Sequence, residues 1–105
     1  MTYNWREHGE ALREYQAAAS WYDDRHEGLG ESFMDAVDAA IESILDPTIH
    51  WGFYRDRRST PQVYSRSVAG FPFQVIYIEF DDEIVVIAYA HERRRPGYWM
   101  RRIGQ

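Results

Sequence analysis

Cysteine and lysine are both absent from this 105-residue chain. Without cysteine the chain forms neither a disulfide framework nor a thiolate metal site. It also lacks any run of about 18 apolar residues, the length that a membrane span needs. The residues that follow Met1 are charged from Arg6 onward and show no apolar signal region. These absences predict a protein of the cytoplasm that makes no contact with a membrane.

The charge of the chain is unevenly distributed. All 12 basic residues are arginine, and with 17 acidic residues they give a net charge of −5. Residues 1–46 hold 3 arginines against 11 acidic residues (−8), whereas residues 47–105 hold 9 against 6 (+3). An isoelectric point near 5.3 argues against a general nucleic-acid coat protein. An anionic partner would therefore have to meet a local basic patch.

The first half of the chain has a helical period. At this length, and with 45% apolar residues, we expect a single domain over residues 1–105. One helix is predicted from about Glu7 to Gly28, because glycine is favoured just past a helix C-terminus. A second helix is predicted up to Leu45, where Pro47 ends it. The short connection between them predicts an antiparallel helical hairpin.

The second half of the chain has the pattern of a sheet. Residues 47–61 show no sustained period and are predicted to be a loop. Residues 62–69 alternate weakly, as an edge strand does, and residues 71–80 form a stronger strand. Asp81 and Asp82 are predicted to be the turn into residues 84–90, which are apolar throughout. That pattern predicts a central strand buried on both faces.

Residues 3–5 also have the pattern of a short strand at the start of the chain. The predicted element order is then β-α-α-β-β-β. This order predicts an α+β domain, in which the helical hairpin packs on one face of a mostly antiparallel, four-stranded sheet.

Three consecutive arginines follow the last predicted strand and mark a candidate site. Arg93, Arg94 and Arg95 are followed by Tyr98 and Trp99. Three fixed positive charges need an anionic partner or open solvent, so they indicate either a binding surface or a solvated chain end. Trp99 and Tyr98 are expected either to close the end of the core or to contribute to a binding groove.

The four histidines do not predict a metal site. His8, His26 and His50 have no ligand spacing with one another, so neither a metal nor another cofactor is expected. His91 has two possible roles. It is either a strand-end residue bonded to the backbone or, since imidazole titrates near neutral pH, an acid or base.

Four short sequence motifs occur in order over about residues 7–102. They are Ala19–Arg25, Gly28–Phe33, Gly70–Phe73 followed by Ile76-Tyr77, and Ala90–Trp99. In this order and spacing they resemble the RelE/ParE family of bacterial toxins from type II toxin–antitoxin modules. The family fold that the resemblance implies has the same β-α-α-β-β-β order.

The resemblance implies a small protein that arrests growth, is associated with plasmid stabilisation, and is neutralised by a cognate antitoxin. ParE-like members inhibit DNA gyrase, whereas RelE-like members cut messenger RNA inside the ribosome. RelE-like members use Lys, Arg and a C-terminal Tyr for cleavage. By position, Tyr98 matches that Tyr, and Arg93 or Arg94 matches the Arg. His91 is a further candidate acid or base for a nuclease.

Two departures from the RelE-like pattern favour binding over cleavage. Gln74 stands on the strand near the place where RelE-like members carry an Arg, and the chain has no Lys. The loop arginines Arg55, Arg57 and Arg58 supply charge, but a guanidinium that stays protonated is a poor proton acceptor.

We therefore expect a ParE-like toxin without enzymatic activity. The alternatives are a metal-independent, ribosome-dependent messenger RNA endonuclease and an inactive member that retains antitoxin binding. The residues predicted to bind the target or the antitoxin are Arg66, Arg93, Arg94, Arg95, Tyr98 and Trp99.

Overall fold

Two helices and five strands make up the regular structure of residues 4–104, the part of the chain that the computed structural model describes. In chain order they are β1 (Asn4–Glu7), α1 (Gly9–Arg25), α2 (Leu29–Leu45), β2 (Gly52–Phe53), β3 (Tyr64–Ser67), β4 (Phe73–Phe80) and β5 (Glu83–His91). Short 3₁₀ turns occur at Tyr54–Asp56 and Met100–Arg102. The prediction of an α+β fold is confirmed. The predicted first strand is present as β1, although Tyr3 lies outside the described residues.

The sheet has five strands in the order β1-β5-β4-β3-β2, and the prediction of four strands was wrong. β1 runs parallel to β5, and every other pair is antiparallel. The additional strand is β2, in which Gly52 and Phe53 pair with Ser65 and Tyr64 of β3. It lies within the predicted loop, because two residues are too few to show a period of two. The edge on that side is therefore β2, and β3 lies one position further in.

The two helices are in very close contact at the start of α2. The backbone N–H of Gly30, at the start of α2, donates to Asp23 Oδ1 at 2.7 Å. A Cβ atom at Gly30 would overlap both that carboxylate and the carbonyl oxygen of Ala19. The connection between the helices contains Gly28, whose φ of 85° is left-handed. Glycine adopts this conformation without strain, so the chain turns within three residues and forms the predicted hairpin.

β4 and β5 form a tight hairpin at the predicted turn. Asp81 and Asp82 have φ angles of 52° and 62°, and residues with short polar side chains tolerate this left-handed conformation best after glycine. The pairing register shifts between Ile76 and Tyr77, so that Ile87 of β5 has no partner on β4. This bulge changes the direction of the hydrogen-bonding groups in the second half of β5.

The sheet has an apolar cluster on each face, which explains why β5 lacks polar alternation. The larger cluster lies between the sheet and the helices and includes Phe33, Val37, Ile44, Val75, Tyr77, Val86 and Tyr89. The smaller one lies on the opposite face and consists of Val63, Ile76, Ile78, Val85, Ile87, Ala88 and Trp99. β5 contributes to both clusters, as predicted for a strand buried on both faces. Within residues 4–104 no helix is long and apolar enough to cross a membrane.

Candidate functional site

Two charged side chains cover the part of β5 that has no neighbouring strand on the β1 side. β1 pairs only with Glu83–Val86, so the second half of β5 extends beyond it. There the backbone N–H of Tyr89 donates to Glu14 Oε1 at 3.2 Å, and Arg102 Nη1 donates to the Ile87 carbonyl oxygen at 3.0 Å. These side chains make the hydrogen bonds that another strand would make, so the buried backbone groups are satisfied.

Glu14 and Arg102 also bind each other through both oxygens of the carboxylate. The two distances are 2.9 Å from Nη1 to Oε1 and 3.1 Å from Nη2 to Oε2. Arg102 is 5% exposed, and a buried guanidinium of this kind needs a paired carboxylate. Burial opposes its charge, but the Glu14 carboxylate outweighs burial and raises the pKa of Arg102 above its ordinary value. The C-terminal turn is thereby attached to α1 and to the sheet at once.

Tyr98 belongs to the same cluster. Its hydroxyl donates to Glu14 Oε2 at 2.5 Å. Burial, followed by the hydrogen bond to the Glu14 carboxylate, raises the pKa of Tyr98 well above its ordinary value. The Arg94 guanidinium lies 3.9 Å from the centre of the Tyr98 ring, at cation–π distance. The hydroxyl that a nuclease would use as an acid is therefore directed at a helix carboxylate and held in its neutral form.

His91 ends β5 and is bonded to the backbone that follows it. Its Nδ1 accepts from the backbone N–H of Arg93 at 3.0 Å, and its carbonyl oxygen accepts from Arg94 N at 3.0 Å. The ring packs edge-on against Phe73 at 5.0 Å. These contacts agree with the strand-end role considered for His91, since one ring nitrogen already shapes the turn into the arginine segment.

The arginine segment, residues 93–95, is exposed. Among residues 4–104, no carboxylate forms an ion pair with Arg93, Arg94 or Arg95. This contrasts with Arg6, Arg101 and Arg102, each of which pairs with a glutamate. The acidic helices therefore leave these three arginines unneutralised, and their charges are available to a partner.

A groove of about 850 Å³ runs between α1 and the ends of β4 and β5. Its walls include Ala17, Trp21 and Phe73, and its rim includes Arg93 and Arg94. Trp21 is 52% exposed, an unusual state for the largest apolar side chain. The groove thus joins an exposed apolar surface to unpaired positive charge. We call this surface the helix-side groove.

Arg66, also predicted as a site residue, lies away from this group. On β3 it shares a face with Tyr64 and Val68, which pack toward the helices, and its Nη2 donates to the His50 carbonyl oxygen at 3.0 Å. Burial raises the pKa of the neighbouring Tyr77 to about 12, and Arg66 offsets part of that rise. Arg66 thus joins the loop after α2 to the sheet.

Trp99 has a structural position rather than an exposed one. It is 1% exposed within the smaller cluster, and its ring meets Tyr54 edge-on at 5.0 Å. Of the predicted site residues, the structure brings together His91, Arg93, Arg94 and Tyr98 along the helix-side groove. Among residues 4–104, no three His, Asp or Glu side chains are grouped so that they would hold a metal ion.

Two residues that were not predicted as site residues, Glu14 and Arg102, organise this region. Glu14 has the pattern of a polar residue on the outer side of an amphipathic helix. Arg102 is the second of two arginines near the chain end. Their contact joins positions 88 residues apart. It depends on β1 ending at Glu7, for which the sequence carries no signal.

The arrangement defines an α+β protein with two helices on a five-stranded mixed sheet and an unpaired arginine segment beside an apolar groove. Comparison of the chain with protein families, curated proteins and solved structures finds no match.

Proposed function

We propose that this chain is a ParE-like toxin of the RelE/ParE family that arrests growth by binding a cellular target such as DNA gyrase. A cognate antitoxin protein neutralises it by covering the same surface. The observation that carries the proposal is the position of Arg93 and Arg94 at the rim of the helix-side groove, where no carboxylate of residues 4–104 forms an ion pair with either. It adds to the sequence resemblance, which covers most of the chain.

The chemistry of the groove supports a protein partner. An apolar floor with an exposed tryptophan and an arginine rim is the composition of protein–protein contact surfaces, in which Trp and Arg contribute much of the binding energy. Trp21 and Arg25 form a cation–π pair, with the guanidinium 4.1 Å from the ring centre, which orders the exposed ring. A partner segment with an apolar anchor and flanking carboxylates fits this surface.

The contacts of Tyr98 and His91 favour binding over RNA cleavage. Cleavage needs one group that removes the 2′-hydroxyl proton and another that protonates the leaving oxygen. The Tyr98 hydroxyl donates to Glu14, and His91 Nδ1 accepts from the backbone. Gln74, which lines a cleft near both residues, has no charge to stabilise the phosphate. A RelE-like endonuclease is therefore the second candidate, and an inactive member that binds only an antitoxin is the third.

The first experiment is to induce the chain in bacteria without an antitoxin and to follow DNA and protein synthesis in parallel. We expect DNA synthesis to stop first, and we expect the purified chain to inhibit supercoiling by purified gyrase. If protein synthesis stops first and messenger RNA is cut, the endonuclease replaces the proposal. If growth continues while the folded protein accumulates, the chain is an inactive member.

Variants of the groove test whether this surface carries the effect. We expect Arg93→Gln with Arg94→Gln to weaken gyrase inhibition at least about tenfold, because each buried interfacial charge or hydrogen bond contributes about 1.5–3 kcal/mol. The matched control is Arg57→Gln with Arg58→Gln, which removes the same charge from exposed arginines outside the groove that also form no ion pair with a carboxylate of residues 4–104. Equal loss in both pairs would show that total charge, not the groove, determines inhibition.

A further inference from the structure

His91 borders two separate clefts at the end of β5. One is the helix-side groove, and the other is a cleft of about 250 Å³ that Gln74 also lines. The ring makes two contacts there. Its Nδ1 accepts from the backbone N–H of Arg93 at 3.0 Å, and its edge meets the Phe73 ring at 5.0 Å. His91 thus connects the floor of the groove to an arginine of its rim.

The hydrogen bond from Arg93 requires a neutral imidazole. A backbone N–H can only donate, so Nδ1 must carry a lone pair rather than a proton. When an imidazole takes up a second proton, both of its ring nitrogens become donors and neither can accept. Imidazole is the side chain that ordinarily gains this proton between about pH 8 and pH 5. The contact between His91 and Arg93 is therefore one that mild acid removes.

The groups around His91 offer a charged ring little in return for the lost bond. The other charged residues that line the two clefts are Glu14, Arg55, Glu92, Arg93, Arg94 and Arg95. The oxygens of Glu14 already accept from Tyr98, Arg102 and the Tyr89 N–H. The exposed Glu92 is thus the one carboxylate of these clefts that is free to bind a protonated ring.

The tyrosines of the two clefts do not change charge in mild acid. Burial raises the pKa of Tyr22, Tyr89 and Tyr98, so these three hydroxyls stay neutral. Tyr54, which also lines the second cleft, packs edge-on against Trp99. The phenol groups therefore do not compete with His91 for a proton in this range.

Few contacts hold the turn that follows His91, so the loss of one bond has a large effect. Glu92 N donates to the Pro72 carbonyl oxygen at 2.9 Å, and Arg94 N donates to the His91 carbonyl oxygen at 3.0 Å. The Arg94 guanidinium also lies on the Tyr98 ring. Arg93 is exposed, and its N–H donates to His91 Nδ1. The imidazole is therefore the group that fixes the position of Arg93.

We infer that protonation of His91 is a pH-dependent switch that frees Arg93 from the end of β5. In the neutral state the bond to Nδ1 holds Arg93 at the rim of the helix-side groove. In the charged state that bond is lost and Arg93 moves independently of the strand, while Arg94 stays on the Tyr98 ring. A partner at the rim must then order Arg93 itself, which costs free energy. The inference concerns the free chain and goes beyond the proposed function, which assigns the groove a partner but no regulation.

The test is NMR relaxation of the backbone amides of the purified full-length chain at several values between about pH 7.5 and about pH 5.5. The ring resonances of His91 are followed over the same range. We expect the order parameter of the Arg93 amide to fall from about 0.85, the value of rigid backbone, to below about 0.6. The change should have the same midpoint as the titration of the His91 ring.

Thr48 provides an internal control with the same geometry. Its backbone N–H donates to Asp46 Oδ1 at 2.9 Å, again two residues back in the chain. The hydrogen bonds from the Thr48 hydroxyl and N–H lower the pKa of Asp46, so this acceptor stays ionised throughout the range. The order parameter of the Thr48 amide should therefore stay constant.

Three variants identify the group that titrates. His91→Asn keeps a side-chain oxygen that can accept from the Arg93 N–H but does not titrate, so Arg93 should stay ordered at every pH. His50→Asn removes an exposed histidine elsewhere, and Glu92→Gln removes the free carboxylate beside His91. Both should leave the transition of Arg93 in place. Circular dichroism melts of each variant confirm that it is folded.

The inference is overturned if Arg93 stays ordered after the His91 ring is charged, or if Arg93 is mobile at every pH. It is also overturned if Arg93 loses order in His91→Asn as it does in the unchanged chain, or if His50→Asn or Glu92→Gln abolishes the change. Should His91→Asn not fold, the shared midpoint and the Thr48 comparison decide on the unchanged chain. None of these measurements involves gyrase, so the proposed function stands or fails separately.

Discussion

Glu14 and Arg102 lie face to face across the free edge of β5 and together replace a neighbouring strand. Glu14 accepts the Tyr89 N–H, Arg102 donates to the Ile87 carbonyl, and the two side chains bind each other at 2.9 and 3.1 Å. Because β1 ends at Glu7, this edge would otherwise be an open template for another chain. The pair therefore stabilises the fold and also protects it from association through that edge.

Glu14→Gln should destabilise the protein strongly. An amide keeps the size of the side chain but leaves the buried Arg102 with only the more distant Glu10 carboxylate, whose Oε2 lies 3.5 Å from Arg102 Nε. Breaking a buried pair costs up to about 3–5 kcal/mol. Urea unfolding followed by circular dichroism measures the loss. Glu42→Gln, the same chemical change at an exposed position of α2, is the control and should shift the free energy of unfolding by less than about 0.5 kcal/mol. Similar losses in the two variants would contradict the structural role of Glu14.

The variant Tyr98→Phe distinguishes a structural role of the Tyr98 hydroxyl from a catalytic one. The substitution removes one hydrogen bond to the Glu14 carboxylate and keeps the ring beneath Arg94, so the free energy of unfolding should fall by about 1.5–3 kcal/mol. A chain that acts by binding should still arrest growth when the variant is induced at a temperature at which it is folded. Loss of growth arrest in a variant shown to be folded would instead indicate that the hydroxyl takes part in RNA cleavage.

Stability should fall in alkaline solution because of the buried tyrosines. Burial raises the pKa of Tyr77 to about 12, and it also raises the pKa of Tyr89 and Tyr98. Below about pH 10 these hydroxyls are neutral in both states, so their contribution is fully present. Above pH 10 the unfolded chain releases these protons first, so stability decreases by up to about 1.4 kcal/mol per pH unit for each tyrosine until the folded pKa is reached.

The composition makes this alkaline effect easy to measure. The chain has neither lysine nor cysteine, so tyrosine is the side chain that titrates between about pH 9 and 12. Urea unfolding at pH 9, 10 and 11 measures how steeply the free energy of unfolding falls with pH. Tyr98→Phe should make this fall less steep by the contribution of one tyrosine. A stability that stays constant over this range would show that the tyrosines are not buried as described.

Gly30→Ala should disrupt the contact between the helices. The added Cβ would overlap the Ala19 carbonyl oxygen and the Asp23 carboxylate, and overpacking of this kind costs about 1–3 kcal/mol. Gly9→Ala is the matched control, because its Cβ would meet nothing within 4 Å and alanine favours a helix. Thermal melting should therefore show a lower midpoint for the first variant and an equal or higher midpoint for the second.

Much of the architecture could be read from local sequence. The end of α1 at Arg25, shortly before Gly28, and the end of α2 at Leu45, shortly before Pro47, each depend on residues that lie close together in the chain. The same is true of the Asp81-Asp82 turn and of the apolar run of β5. The strand of Gly52 and Phe53 could not be read in this way, because its pairing depends on β3 rather than on its own two residues. The bulge opposite Ile76 and Tyr77 likewise arises from the register between two strands.

The same division applies to the candidate site. The sequence by itself determined that an arginine segment follows a buried strand and that the helices carry most of the acidic charge. Only the tertiary structure decided which arginines those carboxylates neutralise. Glu10 and Glu14 bind Arg101 and Arg102 and leave residues 93–95 unpaired, because the C-terminal turn returns to α1 along the free edge of β5. Pairing between charges far apart in the chain depends on where the backbone brings them, and no local pattern carries that information.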